Sequence, residues 1–382
     1  MKRLCAMLAA GILLVCLPVR AKAQELDIPA KSALLMDVET GTILYEQNAH
    51  QALPPASVTK VMTMLLIMEA IDSGSLAYTD TVTASETAAA KGGSQIYLKA
   101  GEQMCLADML KSVAVSSAND CACALAEHLA GSEQAFVAKM NDRARELGMQ
   151  DTNFVNCTGL DDSREAANHR TSAHDIAIMS RELLKNHPDI TKYTTIWMDT
   201  VRNGAFGLSN TNKLIRFYPG ATGLKTGYTS QAGYCLSASA QRDGLALIAV
   251  VMGCESSKQR TAACKQLLDY GFANYALIAP ELPEAQTVPV RLGKASAVSV
   301  IPGENARILI PKAQRSGITQ HIQLEPEIMA PVPAGTRLGT LTIQNGDTIL
   351  AQQPLVAAET IPRLTLADLY EQILRRIAMA KV

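Results

Sequence analysis

The sequence predicts an α/β protein of the α+β type, in which an antiparallel sheet is flanked by helices and followed by a small all-β domain. Three observations lead to this prediction. A β-hairpin pattern stands near the start, and helical patterns, two strand patterns and one more helix follow it. Beyond Pro280 apolar and polar residues alternate, as they do in strands. Hydrophobic residues make up 48% of the 382-residue chain, which is enough for a sizeable core.

The first elements are a hairpin and a buried helix. Apolar runs at Lys31–Met36 and Ile43–Tyr45 flank the turn signal Glu39-Thr40-Gly41. Two prolines then end the strand pattern. From Ser57 to Ala70 nearly every residue is apolar or a good helix former. A helix that is apolar on every side is expected to be buried.

Further helices and a second hairpin complete this part of the chain. The helical patterns are Leu106–Val115, Cys121–Leu129, Glu133–Gly148, Ser172–Lys185 and Ser256–Tyr270. Before the last of them, small β-compatible residues at Tyr234–Ala240 and Leu245–Met252 flank Asp243-Gly244, a hairpin signal. This order of elements favours an antiparallel sheet that is covered by helices.

A separate β domain is predicted between Leu282 and Thr360 from its alternating apolar residues. Its strongest hairpin signal is Asn345-Gly346, between Leu341–Ile343 and Thr348–Leu350. The domain contains no cluster of residue types suited to catalysis. A role as a spacer or docking module is therefore preferred.

Residues 362–382 are predicted to form an amphipathic helix that begins at the capping box Thr365-Leu-Ala-Asp368. Its apolar positions are Leu366, Leu369, Tyr370, Ile373, Leu374 and Ile377. Its polar positions are Asp368, Glu371, Gln372, Arg375 and Arg376. The segment is too short and too charged to span a bilayer. It lies either in a membrane interface or against protein, and the pattern alone does not decide between them.

Residues 1–23 are predicted to be a secretory signal peptide. Lys2 and Arg3 precede an apolar stretch from Leu4 to Val19, and Ala21-Lys22-Ala23 resembles a cleavage signal. A retained membrane anchor is the alternative interpretation. The mature chain is thus expected to work outside the cytoplasm. A formal net charge of -1 argues against a dedicated nucleic-acid binder.

The cysteines indicate neither a disulfide framework nor a zinc site. Seven remain after the signal peptide, so at least one is unpaired in a secreted protein. Cys121-Ala122-Cys123 has no CxxC partner, which argues against zinc. Most of the cysteines lie in apolar runs and are interpreted as small buried hydrophobic residues. No metal or organic cofactor is expected.

Ser57-Val-Thr-Lys60 is the first segment that suggests chemistry. On a helix, residues three apart share a face, so the two side chains meet. A neutral lysine amine can take the proton of a serine hydroxyl if burial lowers the lysine pKa. The apolar surroundings of Lys60 favour this. A helix N-cap is the alternative role for Ser57.

Two further motifs carry polar groups with suitable chemistry. Ser117-Ala-Asn119 falls in a break between helices, where the hydroxyl could relay a proton and the amide could bind a substrate amide. Lys225-Thr226-Gly227 offers two groups that can anchor a carboxylate, and a glycine that permits close backbone approach. Taken alone, ordinary turn chemistry is the favoured interpretation of Ser117-Ala-Asn119, and a surface β-turn is the alternative for Lys225-Thr226-Gly227.

Ser-x-x-Lys, a Ser-x-Asn element and Lys-Thr-Gly together form the motif set of penicillin-recognising serine enzymes. The chain resembles the low-molecular-mass penicillin-binding proteins, which are D-alanyl-D-alanine carboxypeptidases of peptidase family S11. The likeness covers residues 25–275 and is widest in Pro55–Lys60, Ser116–Asp120, Asn153–Asp161 and Thr222–Thr229. It implies a β-lactamase/transpeptidase-like fold with a five-stranded antiparallel sheet, a serine peptidase domain at 24–278 and a β-sandwich-like domain at 279–361.

The resemblance also implies catalytic roles. Ser57 attacks the carbonyl between the two D-alanines of a peptidoglycan stem peptide, and Lys60 is its general base. The oxyanion lies between the backbone N–H groups of Ser57 and Tyr228. Ser117 passes the proton to the leaving amine, and water then hydrolyses the acyl-enzyme. β-Lactams acylate the same serine and act as inhibitors.

For substrate binding, the resemblance implies that Lys225 and Thr226 hold the terminal carboxylate, next to Gly227, while Asn119 binds a substrate amide. Arg260 is a weaker candidate for the carboxylate site, and a solvated helix arginine is slightly favoured. The arginine that some relatives have before the Lys-Thr-Gly strand is replaced here by Asn210-Thr-Asn-Lys213. In many relatives the terminal helix anchors the enzyme to the outer face of the cytoplasmic membrane. This favours membrane contact for the helix here.

Three alternative functions remain. A class A β-lactamase shares the motif set but needs an additional glutamate for deacylation, for which Glu165 is the nearest candidate. A non-hydrolytic penicillin-binding sensor would keep the fold without turnover, although all expected catalytic side chains are present. An endopeptidase that cleaves cross-links would use the same residues, so the sequence does not separate it from a carboxypeptidase.

Overall fold

The computed structural model describes residues 26–278, 282, 285–303 and 307–379. The predicted signal peptide, residues 1–23, lies outside the described residues. The helices of the described part are α1 (Lys60–Asp72), α2 (Glu86–Ala89), α3 (Leu106–Ser116), α4 (Asn119–Ala130), α5 (Glu133–Glu146), α6 (Ala173–Asn186), α7 (Thr191–Thr194), α8 (Leu214–Phe217), α9 (Ser257–Asn274) and α10 (Leu366–Met379).

The strands fall into an N-terminal and a C-terminal group. The first group is β1 (Ser32–Asp37), β2 (Ile43–Gln47), β3 (Thr81–Thr83), β4 (Gln103–Cys105), β5 (Met198–Val201), β6 (Phe206–Ser209), β7 (Ala221–Thr229), β8 (Gly233–Arg242) and β9 (Leu245–Cys254). The second group is β10 (Tyr275–Ile278), β11 (Gln286–Arg291), β12 (Ala297–Pro302), β13 (Ile308–Pro311), β14 (Ile318–Leu324), β15 (Ile328–Met329), β16 (Arg337–Asn345) and β17 (Thr348–Ala357).

The predicted antiparallel sheet is confirmed. It has five strands in the order β2-β1-β9-β8-β7, and every neighbouring pair is antiparallel. Both predicted hairpins are present. The turn between β8 and β9 has positive φ at Asp243 (49°) and Gly244 (80°), as a two-residue type I′ hairpin requires. Because β7 is an edge strand, one side of its backbone faces away from the sheet.

Helices cover both faces of this sheet. Successive residues of β1 point to opposite faces, so Leu34 packs in the core with α1, α3, α4 and α6. Leu35 packs instead in a second core with α9. Every residue of β1 is therefore buried. The sheet is therefore the middle layer between two sets of helices.

The start of the central helix differs from the prediction. Ala56–Thr59 form a 3₁₀ turn, and α1 begins only at Lys60. The side chain of Ser57 makes no capping hydrogen bond, so the interpretation of Ser57 as an N-cap is wrong. The rest of α1 agrees with the prediction, because its side chains are buried on nearly all sides.

A β domain follows, with a six-stranded sheet in the order β14-β16-β17-β12-β11-β15. Its core is separate from the other two and contains the alternating residues of the sequence pattern, such as Val288, Val298 and Leu341. Gly346 has a φ of 55° in the tight turn between β16 and β17. Lys312 donates to the carbonyl of Phe272 at 2.7 Å and so connects this domain to the end of α9.

Helix α10 begins with the predicted capping box. Asp368 N–H donates to Thr365 Oγ1 at 3.2 Å, and Thr365 N–H donates to Asp368 Oδ2 at 2.9 Å. Along its apolar side Leu366 is 87% exposed and Ile373 is 50% exposed. The side chains of Gln372, Arg375, Arg376 and Ile377 lie outside the described set. In the described part of the chain, no helix combines the length and the apolar character that crossing a membrane requires.

Candidate active site

Ser57 and Lys60 meet at the junction between the 3₁₀ turn and α1. Lys60 Nζ lies 3.0 Å from Ser57 Oγ and 2.8 Å from the carbonyl oxygen of Thr158. The side chain of Lys60 is fully buried. Burial lowers the pKa of Lys60 to about 7, although nearby Cys157 and Asp120 act in the opposite direction. A large fraction of this amine is therefore neutral near pH 7 and can accept the proton of the serine.

The turn that carries Ser57 is held by a chain of hydrogen bonds that sequence reasoning missed. Val155 N–H donates to Nδ1 of His169 at 3.0 Å, which leaves the ring proton on Nε2. Nε2 donates to Thr59 Oγ1 at 2.7 Å, and this hydroxyl donates to the Ala56 carbonyl at 2.8 Å. Burial, together with the charge of Lys60, lowers the pKa of His169 to about 4. The imidazole is therefore neutral and acts as a fixed support.

Ser117 lies in the short break between α3 and α4, and Asn119 is the first residue of α4. Ser117 has a left-handed φ of 64° and is buried, and no hydrogen bond joins its hydroxyl to another described residue. Asn119 donates through Nδ2 to the Gly92 carbonyl at 2.7 Å. Its Oδ1 is buried, and the described residues provide no donor for it. The amide oxygen is therefore available to accept an N–H group from a ligand.

Lys225 and Thr226 lie in the middle of β7. Lys225 is 1% exposed, and its Nζ donates to the Thr226 carbonyl at 3.0 Å. Burial, and then the charges of Lys60 and Arg260, hold the pKa of Lys225 well below its usual range. Thr226 Oγ1 lies 2.6 Å from Thr211 Oγ1. Thr211 was not predicted as a site residue, and it places a second hydroxyl beside the motif.

Gly227 brings β7 against the turn of Ser57. A Cβ at this position would lie 2.6 Å from the Pro55 carbonyl and 3.1 Å from the backbone nitrogen of Ser57. The expectation that this glycine makes room for a ligand is thus incomplete, because the chain's own turn fills the space. Tyr228 follows with a 56% exposed side chain, and its ring lies 4.3 Å from that of Tyr234.

Arg260 is buried, so the favoured prediction of a solvated helix arginine is wrong. Its side chain is 7% exposed. Nη1 donates to the carbonyls of Gly227 at 3.2 Å and Cys235 at 3.4 Å, and Nη2 donates to Ser257 Oγ at 3.2 Å. Arg260 therefore stabilises the backbone of β7, the strand that carries Lys225, and of its neighbour β8.

The glutamate proposed for a β-lactamase is not part of this cluster. Glu165 stands in a 3₁₀ turn, and its side chain is exposed. It makes no ion pair or hydrogen bond with the described residues around Ser57 and Lys60. The charge of Asp120, next to Asn119, acts on Lys60, and the charge of Lys60 acts on Lys225. The candidate site therefore comprises the segments around Ser57, Asn119 and Lys225.

Comparison with known proteins gives two family matches. Residues 19–256 match the model described as D-alanyl-D-alanine carboxypeptidase. Residues 281–363 match the model described as the C-terminal domain of penicillin-binding protein 5. The first match covers the five-stranded sheet and the helices before α9, and the second covers strands β11–β17 of the β domain.

Individual relatives agree with these matches. The chain is 42% identical over 377 residues to the D-alanyl-D-alanine carboxypeptidase DacF of Bacillus subtilis, and the alignment covers 95% of each chain. Penicillin-binding protein 5 from Haemophilus influenzae has a similar structure, with a TM-score of 0.76, 32% identity and coverage of 90% of this chain and 100% of that one. Penicillin-binding protein D2 from Listeria monocytogenes, in its ampicillin-bound form, gives a TM-score of 0.59 and 31% identity, covering 64% of this chain and 98% of that one.

Proposed function

The chain belongs to the D-alanyl-D-alanine carboxypeptidase family and is a serine-type hydrolase of that family, and we propose that it acts through an acyl-enzyme on Ser57. The substrate is a peptidoglycan stem pentapeptide that ends in D-Ala-D-Ala. This proposal rests on the distance of 3.0 Å between Lys60 Nζ and Ser57 Oγ. The amine is buried, and its pKa is about 7, so it can act as the base.

In the acylation step, neutral Lys60 accepts the hydroxyl proton as Ser57 Oγ attacks the carbonyl carbon. The hydrogen bond to the Thr158 carbonyl fixes the direction of the amine. The oxyanion is stabilised by the backbone N–H groups of Ser57 and Tyr228. A Cβ atom built on Gly227 would lie 3.1 Å from the backbone nitrogen of Ser57. The strand that carries Tyr228 therefore runs close to this nitrogen, which supports a shared oxyanion site.

Breakdown of the tetrahedral intermediate requires a proton for the leaving D-alanine. The hydroxyl of Ser117 is the proposed carrier, because it has no other described hydrogen-bond partner and lies beside the helix of Asn119. The C–N bond breaks, D-alanine leaves as the amine, and Ser57 holds the shortened peptide as an ester. Water then attacks this ester, with Lys60 again accepting a proton, and the serine is regenerated.

Recognition of the substrate relies on charge and hydrogen bonds. Lys225 is proposed to bind the terminal carboxylate, because an anion restores the charged state that burial disfavours. Thr226 and Thr211 add hydroxyl donors at the same edge. The unpartnered Oδ1 of Asn119 accepts an N–H group of the peptide. Arg260 is assigned a supporting role behind the strand instead of direct carboxylate contact.

Penicillin inhibition follows from the same geometry. A β-lactam presents a strained amide and a carboxylate at a spacing that imitates the dipeptide, so Ser57 is expected to open the ring and to remain acylated. The ampicillin-bound form of the Listeria relative supports this proposal.

Release of D-alanine tests the function directly. The purified protein is incubated with a stem pentapeptide ending in D-Ala-D-Ala, and Ser57→Ala is the matched variant. We expect release by the parent protein, no release by the variant, and a fluorescent penicillin label on Ser57. Release that persists in Ser57→Ala would overturn the proposed nucleophile.

The same assay separates the alternatives. Rapid penicillin hydrolysis without D-alanine would identify a β-lactamase, which the exposed position of Glu165 argues against. Stable labelling without release from the pentapeptide, but with cleavage of a cross-linked dimer, would identify an endopeptidase. Labelling with neither reaction would identify a sensor.

We also propose a location and a domain organisation. Residues 1–23 direct secretion, 24–278 form the peptidase domain, 279–361 form the β domain, and 362–382 contact the membrane. Exposed apolar side chains on α10, including Leu369 and Leu374, support the last assignment. The β domain then serves as a spacer between the outer face of the cytoplasmic membrane and the peptidase domain.

A further inference from the structure

Two cysteines and a glutamate that are distant in sequence converge beside the candidate active site. Cys157 Sγ donates to Glu133 Oε1 at 3.2 Å, and Cys123 Sγ lies 3.9 Å from Glu133 Oε2. The two sulfur atoms and a carboxylate oxygen all lie within 4.8 Å of one another. Both cysteines are fully buried, whereas the carboxylate retains some exposure.

This group has the ligand types and the spacing of a soft divalent cation site. Thiolate sulfur and carboxylate oxygen bind Zn²⁺ at about 2.3 and 2.0–2.2 Å, so tetrahedral ligand atoms stand roughly 3.5–3.8 Å apart. A contraction of at most about 1.3 Å brings the ligand atoms from the observed separations to that spacing. A water molecule can complete the coordination.

A second group of possible ligands does not qualify. Glu69, Glu182 and His187 also lie within 4.8 Å of one another. The guanidinium of Arg143 already binds both carboxylates, at 2.7 and 2.8 Å. Only His187 is then left without the guanidinium, and its Nδ1 lies 2.5 Å from Asp72 Oδ2. In the first group Lys91 contacts Glu133 alone, so both sulfur atoms remain available.

We propose that Cys123, Cys157 and Glu133 form a binding site for a thiophilic divalent cation such as Zn²⁺. On binding, the two S–H groups release two protons to solvent, and the metal replaces them as the partner of both sulfurs. The ammonium of Lys91, 2.5 Å from Glu133 Oε2, stays in place. The positive charges of Lys91 and the 2+ ion balance the negative charges of two thiolates and one carboxylate. The cluster is therefore neutral, which a largely buried site requires.

The position of the site connects it to the candidate active site. The carbonyl of Cys157 accepts from Thr63 Oγ1 at 2.6 Å, and the next carbonyl, of Thr158, accepts from Lys60. Cys123 stands on α4, the helix that begins at Asn119. A bound metal would therefore join the segment that orients the general base to the helix that carries the substrate-binding amide.

Co²⁺ is the probe, because its thiolate complexes absorb in the near ultraviolet and its tetrahedral complexes absorb in the visible. The full chain, with cysteines kept reduced, is titrated with Co²⁺ and then with Zn²⁺. We expect one equivalent of Co²⁺ to produce both absorptions, Zn²⁺ to displace it, and the thermal midpoint to rise with bound metal. Absence of thiolate absorption in the reduced protein would overturn the proposal.

Matched variants locate the binding. Cys123→Ala and Cys157→Ala are expected to lose the thiolate absorption, and Glu133→Gln is expected to weaken Co²⁺ binding at least tenfold. Cys264→Ala removes an equally buried cysteine on α9 and should bind as the parent does. Far-ultraviolet circular dichroism verifies that each variant is folded. Absorption retained in both Cys123→Ala and Cys157→Ala would contradict the assignment. Because Co²⁺ binding is measured without turnover, its failure is distinguishable from failure of the proposed function.

Discussion

Lys60 Nζ lies 3.0 Å from Ser57 Oγ, inside a core that excludes water from the amine. Because burial lowers the pKa of Lys60 to about 7, the fraction of neutral base changes within the range of an ordinary assay. We expect the rate constant of acylation by fluorescent penicillin to fall about tenfold per pH unit below that value and to level off above it.

Lys60→Arg provides the control for this pH profile. A guanidinium stays protonated at every assay pH, so acylation should be lost by a factor of about 10³ or more. The rate is followed as labelled protein against time at a series of pH values. A profile that stays flat between pH 5 and 9 in the parent protein would exclude Lys60 as the titrating base.

The same burial makes Lys60 a destabilising residue. Its folded pKa is about 7 against a reference of 10.5, so the folded state disfavours the protonated amine. The penalty is absent above the unfolded pKa, grows as the pH falls, and is complete below the folded pKa. Its full size is roughly 5 kcal/mol at about 1.4 kcal/mol per unit.

Lys60→Met is therefore expected to stabilise the protein while abolishing acylation. The loss of a donor to the Thr158 carbonyl offsets about 1–3 kcal/mol of the gain. A net increase of about 2 kcal/mol in the free energy of unfolding at pH 7 is expected, shrinking as the pH approaches 10. Urea unfolding at several pH values measures it, and a less stable variant at pH 7 would contradict the argument.

Gly227→Ala tests the contact between β7 and the serine turn. The added methyl group would lie 2.6 Å from the Pro55 carbonyl, which is too close for any real contact. The turn must shift, so we expect acylation to slow at least tenfold and stability to fall by about 1–3 kcal/mol. Gly207→Ala is the control, because its Cβ would meet no atom within 4 Å. Equal acylation rates in the two variants would show that the contact has no influence on Ser57.

His169 holds the turn that carries Ser57 but does not contact the reacting atoms, so a variant can remove this support alone. His169→Ala breaks the hydrogen bonds to Val155 and Thr59 and leaves a cavity, so a loss of about 2–4 kcal/mol in stability and a slower acylation are expected. His169→Gln keeps a donor at the Nε2 position and should restore part of the rate. The pH profile of acylation should keep its midpoint, since the imidazole titrates only near pH 4. A shifted midpoint would instead make His169 part of the proton transfer.

Local sequence patterns predicted the sheet, the hairpins and the motif residues, because these depend on neighbours a few positions apart. The spacing of Ser57 and Lys60 is one helical turn, and their meeting follows from it. Contacts between distant segments could not be read in this way. Nothing in the sequence around Thr211 indicates that its hydroxyl meets Thr226, since that contact exists only after β7 joins the sheet.

Burial explains the remaining differences. A solvated position was predicted for Arg260 because the sequence shows the charge of a residue but not its burial. Only the fold reveals two strand carbonyls within reach of its guanidinium. Cys123 and Cys157 are 34 positions apart, so the closely spaced cysteine pairs that indicate zinc sites in sequence are absent here, and only the fold brings the two thiols together.

The exposed apolar side of α10 gives the last prediction. Leu369 and Ile373 are 44% and 50% exposed, although both are apolar. If this side of α10 enters a membrane interface, replacing both residues by aspartate places two charges where water is excluded. Binding to vesicles of phosphatidylglycerol and phosphatidylethanolamine should then fall at least tenfold. Cosedimentation measures the bound fraction. Met329→Asp, at another exposed apolar residue (59% exposed), is the control and should bind as the parent does. Parent protein that stays in the supernatant, or a double variant that still sediments, would rule out membrane contact through this face.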